Sequence, residues 1–336
     1  MLSTTSTAPN HVWNPATRVL WRGPDTVQLE LGTRAVVVEG VDPDAVRHLV
    51  GTSATPPPQA LRVPLDDLAA LGFLWPATGA PATAPPRLAP ELTGLQERFG
   101  RLGGQLLSSR RAACVVVHGA GRLATSFAAL LAAAGVGRIS FHDRADVRLR
   151  DACPGGLSPD DEGRPFRRAA VDVVRRVAPE VDTTPLSSDQ RADLTVITAE
   201  APVEDALRQS LHLRRAPYLV VQSAAQHLVI GPLVLPGITS CLRCADLHRS
   251  DRDPAWAALA VQLCVPGRYP PGGNVALTTL AASLATVQSL AFLDGEEPAT
   301  LEATLEFHLP DWRIRRRSWA SRADCECGAH LDAGKY

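Results

Sequence analysis

The sequence predicts a two-domain α/β protein: a doubly wound, mostly parallel sheet preceded by a small winged-helix-like α+β unit. Three observations predict it. A length of 336 residues corresponds to about two domains. From Ala112 onward, apolar strand-like runs alternate with helical patterns, as in a parallel sheet covered on both faces. Before Trp75, short β-like runs are instead separated by Gly/Pro turn signals.

The elements follow in order. Strand-like runs at 17–21, 26–31 and 35–41 are separated by Gly23-Pro24-Asp25 and Gly32-Thr33. Helical patterns at 43–50 and 65–74 complete a first domain at 10–76. Residues 77–91, dominated by Pro, Ala, Thr and Gly, cannot form a core and read as a semi-extended linker. The second domain, 92–336, opens on an amphipathic helix at 92–107. Its first strand, 114–118, is continuously apolar, as expected when both faces are covered. A helix at 125–134, a strand at 138–142, a helix at 167–177 and strands at 193–198 and 218–222 follow. Val275–Leu293 is uncharged but carries Thr278, Thr279, Ser283, Thr286, Gln288 and Ser289. It reads as a helix buried in protein rather than a membrane span. Arg313, Arg315, Arg316 and Arg317 read as a solvated strand face.

Composition excludes several classes. Basic and acidic residues balance, 34 against 35, which argues against a protein that coats nucleic acid or an anionic membrane. Lys335 is the only lysine, so no mechanism can use an internal one. The N-terminus shows no secretory signal. Seven cysteines, an odd number, are too few for a disulfide scaffold and imply reduced thiols in the cytoplasm.

One motif points to a nucleotide-type fold. Gly119-Ala120-Gly121-Arg122-Leu123-Ala124 follows a strand and opens a helix. Gly119 permits the tight turn, Gly121 lets a phosphate approach the backbone, and Ala124 lets the helix pack close. Asp143 ends the next strand, where a carboxylate can bind ribose hydroxyls. The expectation is a Rossmann-like fold, with the glycine turn either a live site or a retained scaffold. Cys241-x-x-Cys244 and Cys325-x-Cys327 are two close thiol pairs whose sulfurs can converge on one tetrahedral ion. A lone C-x-x-C is also a redox spacing. Cys114 reads as core, Cys264 as an incidental thiol, and His227 and His248 as structural.

With these motifs in place, the chain resembles the ThiF/MoeB adenylyltransferases, relatives of the ubiquitin-activating enzymes. The resemblance rests on the glycine turn, Gly135-Val136-Gly137-Arg138-Ile139, Asp143, Val147, Gly163-Arg164-Pro165 and Ala178-Pro179-Glu180. The run from Gly231 to Cys244 is closer still to the ThiF-like component of azol(in)e-forming bacteriocin cyclodehydratases. The N-terminal unit is similar to the PqqD-like leader-recognition domain of such systems. The resemblance implies a structural Zn2+ on Cys241, Cys244, Cys325 and Cys327. It implies ATP and Mg2+ at Gly119, Gly121, Ala124, Asp143 and Glu200.

The chain departs from the family at the adenylation site. Where an Asn-Leu-x-Arg-Gln stretch is expected it reads Arg148-Leu149-Arg150-Asp151-Ala152-Cys153. The family's lysine is absent, leaving Arg167 or Arg168 as stand-ins, and its Asp-Asn pair falls on Glu200-Ala201. Loss of adenylation is therefore expected, and ATP binding is left open.

The resulting expectation is a scaffold that holds the leader of a ribosomally made precursor peptide and presents it to a YcaO-type cyclodehydratase. A homodimer is left open, with no nucleic-acid or membrane partner. The alternative is a working adenylyltransferase that activates the C-terminal carboxylate of a peptide or sulfur-carrier protein. The leader is expected at an open strand edge through Val36, Val37 and Val38. Leu65, Leu68 and Leu71, on one helix face, would line the groove.

Overall fold

The computed structural model describes residues 11–42, 57–76, 82–187, 190–198, 202–263 and 273–329. The chain divides into two compact units, Met1–Ser108 and Ser109–Tyr336.

In the first unit, β1 (His11–Trp13) precedes a meander of β2 (Arg18–Trp21), β3 (Thr26–Leu31) and β4 (Arg34–Glu39), ordered β2-β3-β4. Alternate residues of β3 point inward, and Val27, Leu29 and Leu31 are buried with Val38, Leu68 and Phe73. Helix α1 covers Leu65–Ala70, with Asp66 and Asp67 in its first turn, where carboxylates complement the helix dipole. It is shorter than the expected 65–74. Gly72, at φ +85, lets the Phe73 N–H reach the Leu68 carbonyl and its own N–H reach the Ala69 carbonyl. That pair of bonds closes the helix in a Schellman motif. The chain then turns into β5 (Leu74–Pro76), which pairs antiparallel with β1. The helix expected at 43–50 lies outside the described residues.

The expected linker 77–91 is helical toward its end, with a tight 3-10 turn at Pro86–Leu88 running into α2 (Ala89–Phe99). The single helix expected at 92–107 is broken at Gly100, and α3 (Leu102–Ala112) follows. Leu88, Leu92, Leu95 and Leu107 form a small apolar cluster of their own. The unit boundary therefore falls after Ser108 rather than before residue 92.

The second unit is built on a seven-stranded sheet. Its elements are β6 (Cys114–His118), α4 (Arg122–Ala133), β7 (Arg138–His142), α5 (Phe166–Val177), β8 (Leu194–Thr198) and α6 (Asp205–Leu213). Then come β9 (Tyr218–Ser223), β10 (His227–Val234), α7 (Leu242–Arg252), α8 (Trp256–Leu263), α9 (Val275–Leu293), β11 (Ala303–His308) and β12 (Ile314–Ser318). The strand order is β12-β11-β10-β9-β8-β6-β7. The four strands from β7 to β9 are parallel, as expected. The other three pair antiparallel and extend this parallel core on one side. β10 follows β9 through a tight turn in which the Ala224 N–H donates to the His227 carbonyl, too short for a parallel crossover.

Helix α9 packs against α4, β9 and β10. It is long and apolar enough to cross a membrane, yet Ala281, Ala282, Ala285 and Ser289 are fully buried in protein. Arg315, Arg316 and Arg317 lie on β12, an edge strand exposed along its whole length, and Arg313 just precedes it.

Candidate functional site: a four-cysteine centre and a capped glycine turn

Cys241 occupies the N-cap position of α7, which places Cys244 on the first helical turn. Cys325 and Cys327 come from the turn beyond β12. The Sγ–Sγ distances are 3.9 Å for Cys241–Cys244, 3.7 Å for Cys241–Cys325 and 3.6 Å for Cys244–Cys327. All four sulfurs lie within 4.8 Å of one another. A tetrahedron of sulfurs at about 2.3 Å from a zinc ion has edges of about 3.8 Å. Three edges match that value and the longest is at most 4.8 Å, so the donor set fits a four-coordinate ion with small adjustment.

Burial seals the centre. Cys241, Cys244 and Cys325 are buried among Ile197, Leu211, Tyr218 and Val234. Hydrogen bonds from the Cys241 and Cys327 thiols hold the Cys244 thiol far below its ordinary pKa, while the same contacts push Cys241 up. With an ion bound, four sulfur ligands would leave no open coordination position, the arrangement of a structural site. The His248 Nε2 lies 3.0 Å from the Ala320 carbonyl, and the His227 ring stacks on His308 at 5.5 Å. Neither joins the sulfurs.

The glycine turn has the expected strand–turn–helix geometry. Gly119 has φ +105, and a Cβ there would lie 2.2 Å from the Thr198 carbonyl oxygen. The close passage of β8 thus accounts for this glycine by packing alone. Gly121 is buried, and a Cβ there would lie 3.2 Å from Asp151 Oδ1. The other Asp151 oxygen accepts from the Arg148 N–H at 2.8 Å, which pins the carboxylate. Arg122, first residue of α4, donates from Nε to the Ala152 carbonyl at 3.1 Å. Asp143 follows β7, with Oδ1 accepting from the Ala145 N–H.

The Asp151 carboxylate beside Gly121 disfavours a triphosphate at this turn. The triphosphate charge would meet that carboxylate where the fold usually offers bare N–H groups. Arg167 and Arg168, the expected stand-ins for the lysine, line a separate groove along α5 with Arg175 and Thr183. Glu200 and Cys264 lie outside the described residues. Cys114 is buried in β6 as expected, and burial pushes its thiol up to about 11.

The sequence reading missed two features here. Asp151 is one. The other is the pair His118 and His142, whose rings lie 4.5 Å apart at the C-terminal ends of β6 and β7. Burial foremost, and His142 next, lower the His118 pKa to about 4. Both histidines end apolar runs, so their position at the crevice was legible from the strand assignments.

The residues expected to hold peptide are spread over the first unit. β4 is an edge strand, and among the described residues no strand pairs with its outer side. Val38 faces the core, Val36 is half-buried and Val37 is exposed. Leu68 is core and Leu65 packs against it. Leu71 is exposed at the helix end, where its carbonyl accepts from Arg34 of β4.

A parallel core carrying a glycine turn, extended by antiparallel strands and braced by four cysteines, has the form of a ThiF-like fold. Comparison with solved structures bears this out. Escherichia coli MccB, the microcin C7 biosynthetic enzyme, in complex with N-formylated MccA, superposes with a TM-score of 0.69 at 17% identity. That match covers 95% of this chain and 99% of MccB. MccB with ATP gives the same TM-score, identity and coverage. PaaA matches at 0.59 and 16% identity over 76% of this chain and 90% of its own. Among curated proteins, HesA of Nostoc sp. is 28% identical over 166 residues, 46% of this chain and 65% of HesA. The chain thus spans just under two thirds of that relative's length. No protein-family model matches the chain.

Proposed function

We propose that this protein is a non-adenylating ThiF-like component of a peptide-modification system. It holds the leader of a ribosomally made precursor peptide and presents it to a YcaO-type cyclodehydratase. The observation that carries the reading is the full-length likeness to MccB, a protein solved with the MccA peptide. The Asp151 carboxylate against Gly121 supports the loss of adenylation. The exposed edge of β4 supports peptide capture by strand addition, in which backbone bonds give affinity and side-chain pockets give selectivity. Zn2+ in the four-cysteine centre is structural, and the cytoplasm and a homodimer suit the reading.

The test uses the full chain and a co-encoded short peptide rich in Cys, Ser and Thr. ATP–pyrophosphate exchange should stay at background while the peptide binds. Neighbouring N–H groups of a strand point to opposite sides, so one of Val36→Pro and Val37→Pro removes an outward donor. That variant should weaken binding at least tenfold, about 1.4 kcal/mol. Binding that survives both prolines would move the peptide site elsewhere. Exchange that depends on the peptide's C-terminal carboxylate would establish an adenylyltransferase instead.

A further inference from the structure

The exposed face of α5 carries a charged groove that the reading above does not use. It encloses about 490 Å3 and is lined by Arg164, Arg167, Arg168 and Arg175 against a single carboxylate, Asp172. Arg164 is engaged by Asp161 and Asp172. Arg175 donates to the Thr183 hydroxyl at 3.1 Å, which orients it along the wall. Arg167 and Arg168 are exposed, and no carboxylate of the described residues pairs with them. Asp182, beside the Thr183 wall, pairs with Arg138 and also faces Arg175. In a chain of balanced charge, this is a local positive excess. Val171 adds an apolar patch between the guanidinium groups.

We infer that this groove binds an extended acidic peptide segment of a partner protein. Spacing selects the ligand. Arg168 and Arg175 lie seven residues apart on α5, so their backbones are about 10 Å apart at 1.5 Å per residue. An extended peptide rises about 3.3 Å per residue. Carboxylates three residues apart along such a segment therefore match this pair. A single phosphate group is too small to span it. Guanidinium forks take carboxylates bidentately, which favours arginine over lysine for this task. A single-stranded nucleic acid would need aromatic platforms for its bases, and the lining has none. The inference is independent of peptide capture at β4, which lies in the other unit.

The experiment is fluorescence polarisation of the full chain with a fluorescein-labelled octaglutamate, and with a Gly-Ser octapeptide of the same length as reference. Octaglutamate should bind, more weakly as salt is raised, and the Gly-Ser peptide should not. The charge-reversed R167E/R168E chain should bind octaglutamate at least tenfold more weakly. R313E/R315E, on the exposed β12 region, should change binding less than twofold. Should the reversed chain fail to fold, phenylglyoxal modification of the wild-type chain gives the same answer. Octaglutamate should protect Arg167 and Arg168 and leave Arg313 reactive. Equal losses in both double variants, no protection at Arg167 and Arg168, or tighter binding of oligouridylate or pyrophosphate would overturn the inference.

Discussion

His118 shows how one side chain can record the electrostatics of the crevice. Its ring lies at the end of β6, and burial, reinforced by His142, lowers its pKa from 6.5 to about 4. The folded state therefore disfavours the extra proton that the unfolded chain accepts below pH 6.5. Stability from the neutral ring is fully present above that pH and is lost as pH falls from 6.5 toward 4. A shift of this size is worth about 3 kcal/mol across the interval. Urea unfolding of His118→Gln at a series of pH values should show a flatter profile between those limits than the parent chain. Identical slopes would place the acid sensitivity in other groups. The individual residues were unequally legible. Four cysteines in two close pairs announced their convergence, because thiol spacing constrains where sulfurs can meet. Asp151 gave no such warning, since its approach to Gly121 depends on how the segment after β7 folds back.

Element by element, strands were read more accurately than helix ends. β6 and β7 match their expected bounds because an apolar run between polar residues has sharp edges. α1 was overextended because its leucine spacing continues past Gly72, whereas the Schellman bonds stop the helix there. The same cause, a glycine with positive φ, split the helix expected at 92–107 at Gly100. β10 and β11 were not foreseen, because antiparallel pairing does not follow from the strand–helix alternation that marks the parallel core. One inter-element tie was also invisible in sequence, since its partners are 184 residues apart. Arg110, near the end of α3, donates from Nε to Asp294 Oδ1 at 2.7 Å, at the C-cap of α9. Their side chains are only 6% and 1% exposed. Removing one partner of a buried pair strands the other charge, which costs about 3–5 kcal/mol. Asp294→Asn should lose about that much stability in denaturant unfolding, and a loss under about 1 kcal/mol would mean that water reaches the guanidinium.

At the scale of the whole molecule, the two units are stabilised by different means. The first has a small core around Val27, Leu29 and Phe73. A core of that size leaves little margin, because small domains bury a smaller share of their surface. The second has a large continuous core and, beside it, the four-cysteine centre. Two units with separate cores need not unfold in one step. The sulfurs tie the start of α7 to the turn after β12, so metal held there closes a long loop of chain. Bound metal favours the folded second unit by mass action, and only that unit contains the ligands. Calorimetry of the full chain should therefore show two transitions. A strong chelator, or Cys327→Ser, should lower one of them by several degrees and leave the other in place, with about one Zn2+ per chain lost in elemental analysis. The insensitive transition should be the one that an Arg34-to-Glu39 proline shifts. If chelation lowers both transitions together, the units unfold as one cooperative block and the cysteine centre stabilises the whole chain.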